Sequence, residues 1–348
     1  MKAIVLTGKA QAEYREIPTP ECPEDGLLVK IEAVGLCGSD IRTYFHGHKS
    51  VTYPAVIGHE NAGVIVGTGG KHTGGWAMGD RVVINPSIPC GKCYYCMHGS
   101  PDICNNWFVY GNDIPGGFAQ YLAVPGVGVE RGQILRVPDG ISLDEITLTE
   151  LMASVLKAQE QMRVTLGDTV VIFGCGPIGC LHTQIARLRG AGKIILADIS
   201  QDRLELVKGF GADLLVNSGK EDIVSIVRGL TNGIGADVCI VAAPSAEPHR
   251  LGVELLKKEG RLSYFGGLNK EAPLSTVDGN LVHYNRIEIR GAYSYSFANF
   301  EQGFKLVSEG KIDKRIITHR LPLRDMEEGV RLVQAGKAIK VVLKPWEE

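Results

Sequence analysis

Residues 170–198 constrain this chain more than any other stretch: an apolar strand stops at a glycine-rich turn, a helix follows, and a second strand ends in an acid. Val170, Val171, Ile172 and Phe173 form a short, largely β-branched run that reads as buried strand. It breaks at Gly174-Cys175-Gly176-Pro177-Ile178-Gly179, a G-x-G-x-x-G turn opening a helix. Gly174 permits the tight turn, Gly176 lets backbone approach a pyrophosphate, and Gly179 lets the helix pack on the strand. The helix start offers unpaired N–H groups and a positive dipole end to phosphates. Asp198 closes the second strand nineteen residues after Gly179, where a carboxylate accepts hydrogen bonds from a ribose diol and repels a 2′-phosphate. A lone glycine pattern fits any α/β turn, but strand, helix and acid together specify a dinucleotide site, for NAD rather than NADP. Arg203, just beyond Asp198, reads equally as a planar cation over the adenine and as a solvated helix residue.

At 348 residues the chain exceeds one typical core, so two domains are expected. Formal net charge is −2 with both signs interspersed, which leaves no surface suited to nucleic acid. The first residues alternate like a strand and lack the features of a signal peptide, and no apolar run is long enough to cross a bilayer. The nine cysteines then belong in a reducing cytoplasm, where their clustering argues for metal rather than disulfides.

Segments 2–6, 27–34, 56–66, 81–84 and 118–124 read as short strands separated by Gly, Pro and Asp turns, the punctuation of a β domain. The pattern turns helical over 143–163. Strands then alternate with helices at 170–173, 193–198, 214–217, 237–243, 261–266 and 287–293. Such a series builds a six-stranded parallel sheet covered on both faces. Two short amphipathic helices and a strand at 338–343 follow, the strand returning to the first domain. The expected division is 1–150, 151–292 and 293–348, with a cysteine-rich lobe at about 88–106.

Cys90, Cys93, Cys96 and Cys104 are spaced C-x2-C-x2-C-x7-C. Four thiolates close a tetrahedron round zinc with no open position, as structural sites do. An iron–sulfur cluster is the competing reading. The ferredoxin run, however, continues C-x3-C-P, whereas Cys104 follows seven residues later and precedes Asn105. A second set is dispersed: Cys37 in GLCGSD, His59 and Glu60 in GHE, and Glu150 in LTEL. Taken singly, Cys37 reads as a small buried apolar group and His59 as a core histidine. Together, a thiolate, an imidazole and a carboxylate leave a coordination position open, as catalytic zinc requires, though manganese or cobalt also suits such donors.

These motifs, with GGFAQY at 116–121, occur in an order that resembles the zinc-dependent medium-chain dehydrogenases nearly end to end. The resemblance implies a GroES-like β domain, a Rossmann domain inserted before the last segment, and an active site between them. It implies that Cys37, His59 and Glu150 ligate the catalytic zinc, with Glu60 close to the metal, and that the four-cysteine lobe holds a structural zinc. Ile178, Asp198 and Arg203 match NAD contacts, and Phe265, Gly266, Gly267, Ala292 and Tyr293 fall where family backbone lines the nicotinamide and ribose. Classical alcohol dehydrogenases have a second cysteine near Glu150; this chain has none there, and so resembles the polyol and sugar-alcohol branch.

The chemistry implied is hydride transfer from an alcohol to NAD, with Ser39 taking the hydroxyl proton. Many relatives pass that proton to a histidine three residues further on, where this chain has Arg42, which stays protonated and cannot act as a base. Water, His46 or His48 is left to carry it. Arg42, His46, His48 and Lys49 share the loop RTYFHGHKS, which reads either as a solvated basic loop or as a recogniser of an anionic substrate group. The resulting expectation is a cytoplasmic, zinc-dependent, NAD-linked dehydrogenase, a homodimer or homotetramer, acting on a polyol, an inositol-like compound or a sugar phosphate. A threonine-type or simple secondary-alcohol dehydrogenase is the nearest alternative. A non-catalytic NAD-binding protein is the other, and it would need no open metal site.

Overall fold

A computed structural model describes residues 1–70 and 74–347; Glu348, the last residue of the expected segment 293–348, lies outside the described residues. The chain divides into two compact units, Met1–Ala153 with Tyr295–Glu348, and Ser154–Ser294. Among the described residues no helix is long and apolar enough to cross a membrane.

The first unit is built on a seven-stranded sheet. Its order is Ile317–Pro322, Lys340–Lys344, Leu27–Leu36, Glu60–Thr68, Arg81–Ile84 and Ile134–Arg136, and Tyr121–Val124 also pairs with Leu27–Leu36. Leu27, Val29, Ile31, Ala33 and Val34 are fully buried, giving the unit its core with Ile65, Ile84, Phe118 and Val341. The strand expected at 56–66 begins only at Glu60, because Gly58 turns there at φ 99°. The expected helical stretch 143–163 is two helices, Leu143–Ile146 and Thr149–Gln161. Thr147 separates them and returns its hydroxyl to the Asp144 carbonyl.

Register matters more than outline here. Gly35 pairs with Glu60 on one side and with Val342 on the other. Side chains two residues apart on a strand share a face, so Lys340, Gly35 and Glu60 come to one face of three adjacent strands.

The second unit is a six-stranded parallel sheet ordered Leu214–Asn217, Lys193–Asp198, Thr169–Phe173, Ala236–Val241, Leu256–Tyr264 and Glu288–Gly291. In chain order that is 3-2-1-4-5-6, the doubly wound arrangement, whose order reverses beside Thr169–Phe173. Val170, Val171 and Ile172 have no exposed surface, as a strand covered by helices on both faces requires. The sheet expected from the sequence is the one observed.

Candidate metal and dinucleotide sites

Strand Leu27–Leu36 runs out at Cys37, which caps helix α1, Gly38–His46. Asp40, in the first turn of α1 and buried, accepts the Cys37 N–H at 3.0 Å through Oδ2. Its other oxygen lies 3.1 Å from His59 Nδ1. A carboxylate can only accept, so Nδ1 donates, and Nε2 is the nitrogen that would ligate a cation once its own proton is displaced. Burial opposes charge on His59, but Asp40 and Cys37 outweigh it and hold the imidazole well above its ordinary range. The ligand atoms of Cys37, His59 and Glu60 lie within 4.8 Å of one another. Thiolate, imidazole and carboxylate at that separation are a donor set for a divalent cation such as zinc. The Ser39 hydroxyl stands 3.4 Å from His59 Nε2.

Glu60 is fully buried, and its Oε1 has no hydrogen-bond partner. Its Oε2 pairs with Lys340, itself 1% exposed, and Lys340 Nζ also donates to the Leu36 carbonyl at 3.0 Å. The pair crosses the middle strand over Gly35, where a Cβ would stand 1.7 Å from Glu60 Oε2 and 3.0 Å from Lys340 Cε. Glycine is the residue that leaves room for it.

Glu150, second in helix Thr149–Gln161, is not one of the three residues in that cluster, although its carboxyl feels it. Burial pushes the Glu150 pKa up; His59 pulls it back, Glu60 raises it again, and Tyr295 and Lys340 lower it. Asp40, Lys340 and Tyr295 were not singled out from sequence. Asp40 carried a signal, since an acid three residues after Cys37 at a helix start is a capping pattern. Lys340 and Tyr295 carried none.

In the lobe, Cys93 and Cys104 cap the short helices Tyr94–Met97 and Pro101–Ile103, and all four sulfurs converge. Cys93 Sγ lies 3.5 Å from Cys96 Sγ and 3.7 Å from Cys104 Sγ. Zinc–sulfur bonds of about 2.3 Å set the edge of a tetrahedron at about 3.8 Å, so the thiols fit that ion. Cys104 Sγ accepts N–H groups from Cys90 and Asn106, both at 3.3 Å. The N–H groups of Cys96 and Asn105 lower Cys93 to about 6, a thiolate at neutral pH.

In the second unit Gly174 has φ 107°, and a Cβ on Gly179 would stand 1.8 Å from the Gly174 carbonyl, so the helix Pro177–Leu188 starts hard against the strand. A Cβ on Gly176 would meet nothing within 4 Å, which leaves open space at the helix start. Asp198 Oδ2 accepts the Cys175 N–H at 2.8 Å and Oδ1 the Ser200 N–H at 2.9 Å, fixing the carboxylate beside the turn. Arg203 is near enough to bear on the Cys175 thiol, and Ile178 lies in the first turn of the helix. Phe265 and Gly266 both donate to the Val241 carbonyl, Gly267 follows them, and Ala292 donates to Tyr264. Tyr293, next in line, is 70% exposed. Of the basic loop, Arg42 and His46 lie exposed on α1, whereas His48 and Lys49 lie beyond its end, with His48 Nδ1 accepting the Ser50 N–H.

Residues 23–139 match the alcohol dehydrogenase GroES-like domain, and residues 177–309 match the zinc-binding dehydrogenase domain. A sorbitol dehydrogenase of Halalkalibacterium halodurans is 32% identical over 99% of each chain. An L-threonine 3-dehydrogenase of Bacillus subtilis is also 32% identical, again over 99% of each chain. Among solved structures, one described as a zinc-binding dehydrogenase of Sinorhizobium meliloti, bound to NADP, superposes with a TM-score of 0.91 at 29% identity over 99% of each chain. With both domains matched and relatives of this identity spanning the whole length, the chain belongs to the zinc-dependent medium-chain dehydrogenases, in their polyol branch.

Proposed function

We propose that this dehydrogenase oxidises a secondary hydroxyl of a polyol, an inositol-like compound or a sugar phosphate to a ketone, with NAD as acceptor and zinc as the catalytic ion. The observation that carries the reading is the convergence of Cys37, His59 and Glu60 within 4.8 Å, with the Ser39 hydroxyl beside His59. Cys37, His59 and Glu150 would hold the ion, with Glu60 close by. A bound divalent cation supplies Lewis-acid chemistry at an alcohol oxygen. The protein's part is to hold the imidazole in one tautomer through Asp40, and to keep Glu60 in place through Lys340. Ser39 would take the hydroxyl proton, a role its 3.4 Å approach to His59 Nε2 supports. Arg42 cannot receive it, so water, His46 or His48 does. Cys90, Cys93, Cys96 and Cys104 would hold a second zinc with every position filled, a structural role.

Gly174, Gly176, Pro177, Ile178 and Gly179 would cradle the dinucleotide pyrophosphate, with Asp198 on the ribose diol and Arg203 over the adenine. Phe265, Gly266, Gly267, Ala292 and Tyr293 would line its nicotinamide end. The immobilised Asp198 carboxylate supports NAD, because a 2′-phosphate there meets a fixed negative charge. We read the enzyme as a cytoplasmic homodimer or homotetramer, with edge strand Glu288–Gly291 available for pairing. The likeness to a threonine dehydrogenase supports an amino-alcohol substrate as the second reading.

The test is NADH formation from sorbitol, xylitol, myo-inositol, sorbitol 6-phosphate and L-threonine, before and after chelation. Turnover of a polyol, lost on chelation and restored by zinc, is the expected result. Turnover of L-threonine alone selects the second reading, and turnover untouched by chelation refutes the metal centre.

A further inference from the structure

Helix α1 divides its side chains sharply. Asp40, Thr43 and Tyr44 point inward; Asp40 is committed to Cys37 and His59, and the Tyr44 hydroxyl donates to Glu327 at 2.7 Å. Gly38, Ser39, Arg42 and His46 are exposed and fall one turn apart along the helix, on a single face. That face carries a guanidinium and an imidazole and no acid. Arg42 has no carboxylate partner among the described residues, a state it shares with the exposed Arg324, whereas the exposed Arg163, Arg187 and Arg315 are each paired.

Its position is specific. Residues three apart on a helix have Cβ atoms about 5–6 Å apart, so Arg42 branches from the helix one turn beyond Ser39, whose hydroxyl lies at the candidate metal histidine. A Cβ on Gly38 would meet nothing within 4 Å, so the space before that turn is open. A permanently charged, forked donor with no carboxylate partner among the described residues, next to a reaction centre, suits a planar or tetrahedral oxyanion.

We propose that Arg42 is a specificity-determining residue that binds the anionic group of the substrate, a phosphate monoester or a carboxylate. The inference rests on the dehydrogenase reading above and narrows its substrate class to an acidic polyol derivative. The site recognises the oxyanion; the reacting carbinol lies toward Ser39.

Two matched pairs test it, sorbitol with sorbitol 6-phosphate and L-iditol with L-idonate, using the zinc-loaded enzyme, Arg42→Gln and Arg42→Lys. The wild type is expected to prefer the acid member of one pair in kcat/KM, and which pair tells phosphate from carboxylate. Losing a charge-assisted hydrogen bond costs about ten- to hundredfold, so Arg42→Gln should shrink that preference by about this factor, while Arg42→Lys retains part of it. The loss should appear in the substrate KM and not in that for NAD. Equal kcat/KM within each pair in the wild type, or an acid-to-neutral ratio unmoved by Arg42→Gln, overturns the proposal and leaves the dehydrogenase reading intact. A change confined to the KM for NAD also overturns it, assigning Arg42 to the cofactor. If none of the four compounds is oxidised while xylitol, myo-inositol or L-threonine is, the proposal falls and the dehydrogenase reading stands.

Discussion

Replacing Lys340 by methionine keeps most of the side-chain volume in its buried place and removes the ammonium. Glu60 is then left with two buried oxygens and no cation, and the Leu36 carbonyl loses a donor. Breaking a buried pair by deleting one partner costs about 3–5 kcal/mol, because the remaining charge stays desolvated. That is a large share of the roughly 5–15 kcal/mol by which a domain is stable. The assay is urea unfolding of the chelated protein followed by a probe in the first unit, which carries both residues. The double variant K340M/E60Q should recover more than half of the loss, since a neutral amide tolerates burial far better than an orphaned carboxylate. Zinc added back to K340M should also restore stability beyond what it gives the wild type, by supplying a cation. A K340M penalty below about 1 kcal/mol, as for a solvated pair, or a double variant no more stable than the single one, would refute the view that this pair is desolvated and mutually dependent.

Other consequences are directly measurable. Asp40→Asn keeps the shape but weakens the acceptor that orients His59, so zinc affinity at the Cys37–His59 centre should fall by about 10–100-fold in a chelator competition, with the four-cysteine lobe unaffected. His182 is fully buried, and burial lowers its pKa to about 3, so it is neutral in the folded state. Above its unfolded value of about 6.5 it contributes no pH dependence; below that, only the unfolded chain takes the proton, and stability falls by about 1.4 kcal/mol per pH unit. Between pH 6.5 and 4.5 the wild type should therefore lose about 2 kcal/mol that His182→Leu does not, read from urea midpoints. Parallel pH profiles for the two proteins would remove His182 from the acid response.

What the sequence determined by itself was whatever a short segment carries alone. The turn from Gly174 to Gly179 needs only its own glycines, a strand before it and a helix after it, and the four lobe cysteines lie within fifteen residues of one another. Local chain geometry brings such groups together before any long-range packing, so their spacing was readable. Four of the six parallel strands were legible for the same reason, each being a mainly apolar run between turns, and the alternation with helices located Leu256–Tyr264 and Glu288–Gly291, which carry charged residues. Cys37, His59 and Glu60 were individually ambiguous, and resemblance rather than spacing linked them. Tertiary structure decided how they are held. Asp40 reaches His59 because strand Leu27–Leu36 ends where α1 begins, and Lys340 reaches Glu60 from 280 residues away. That second contact depends on the register of three strands and on a missing side chain at Gly35. A one-residue slip in either pairing would turn Lys340 or Glu60 to the opposite face, and register is set by the packed sheet, not by any pattern within one strand.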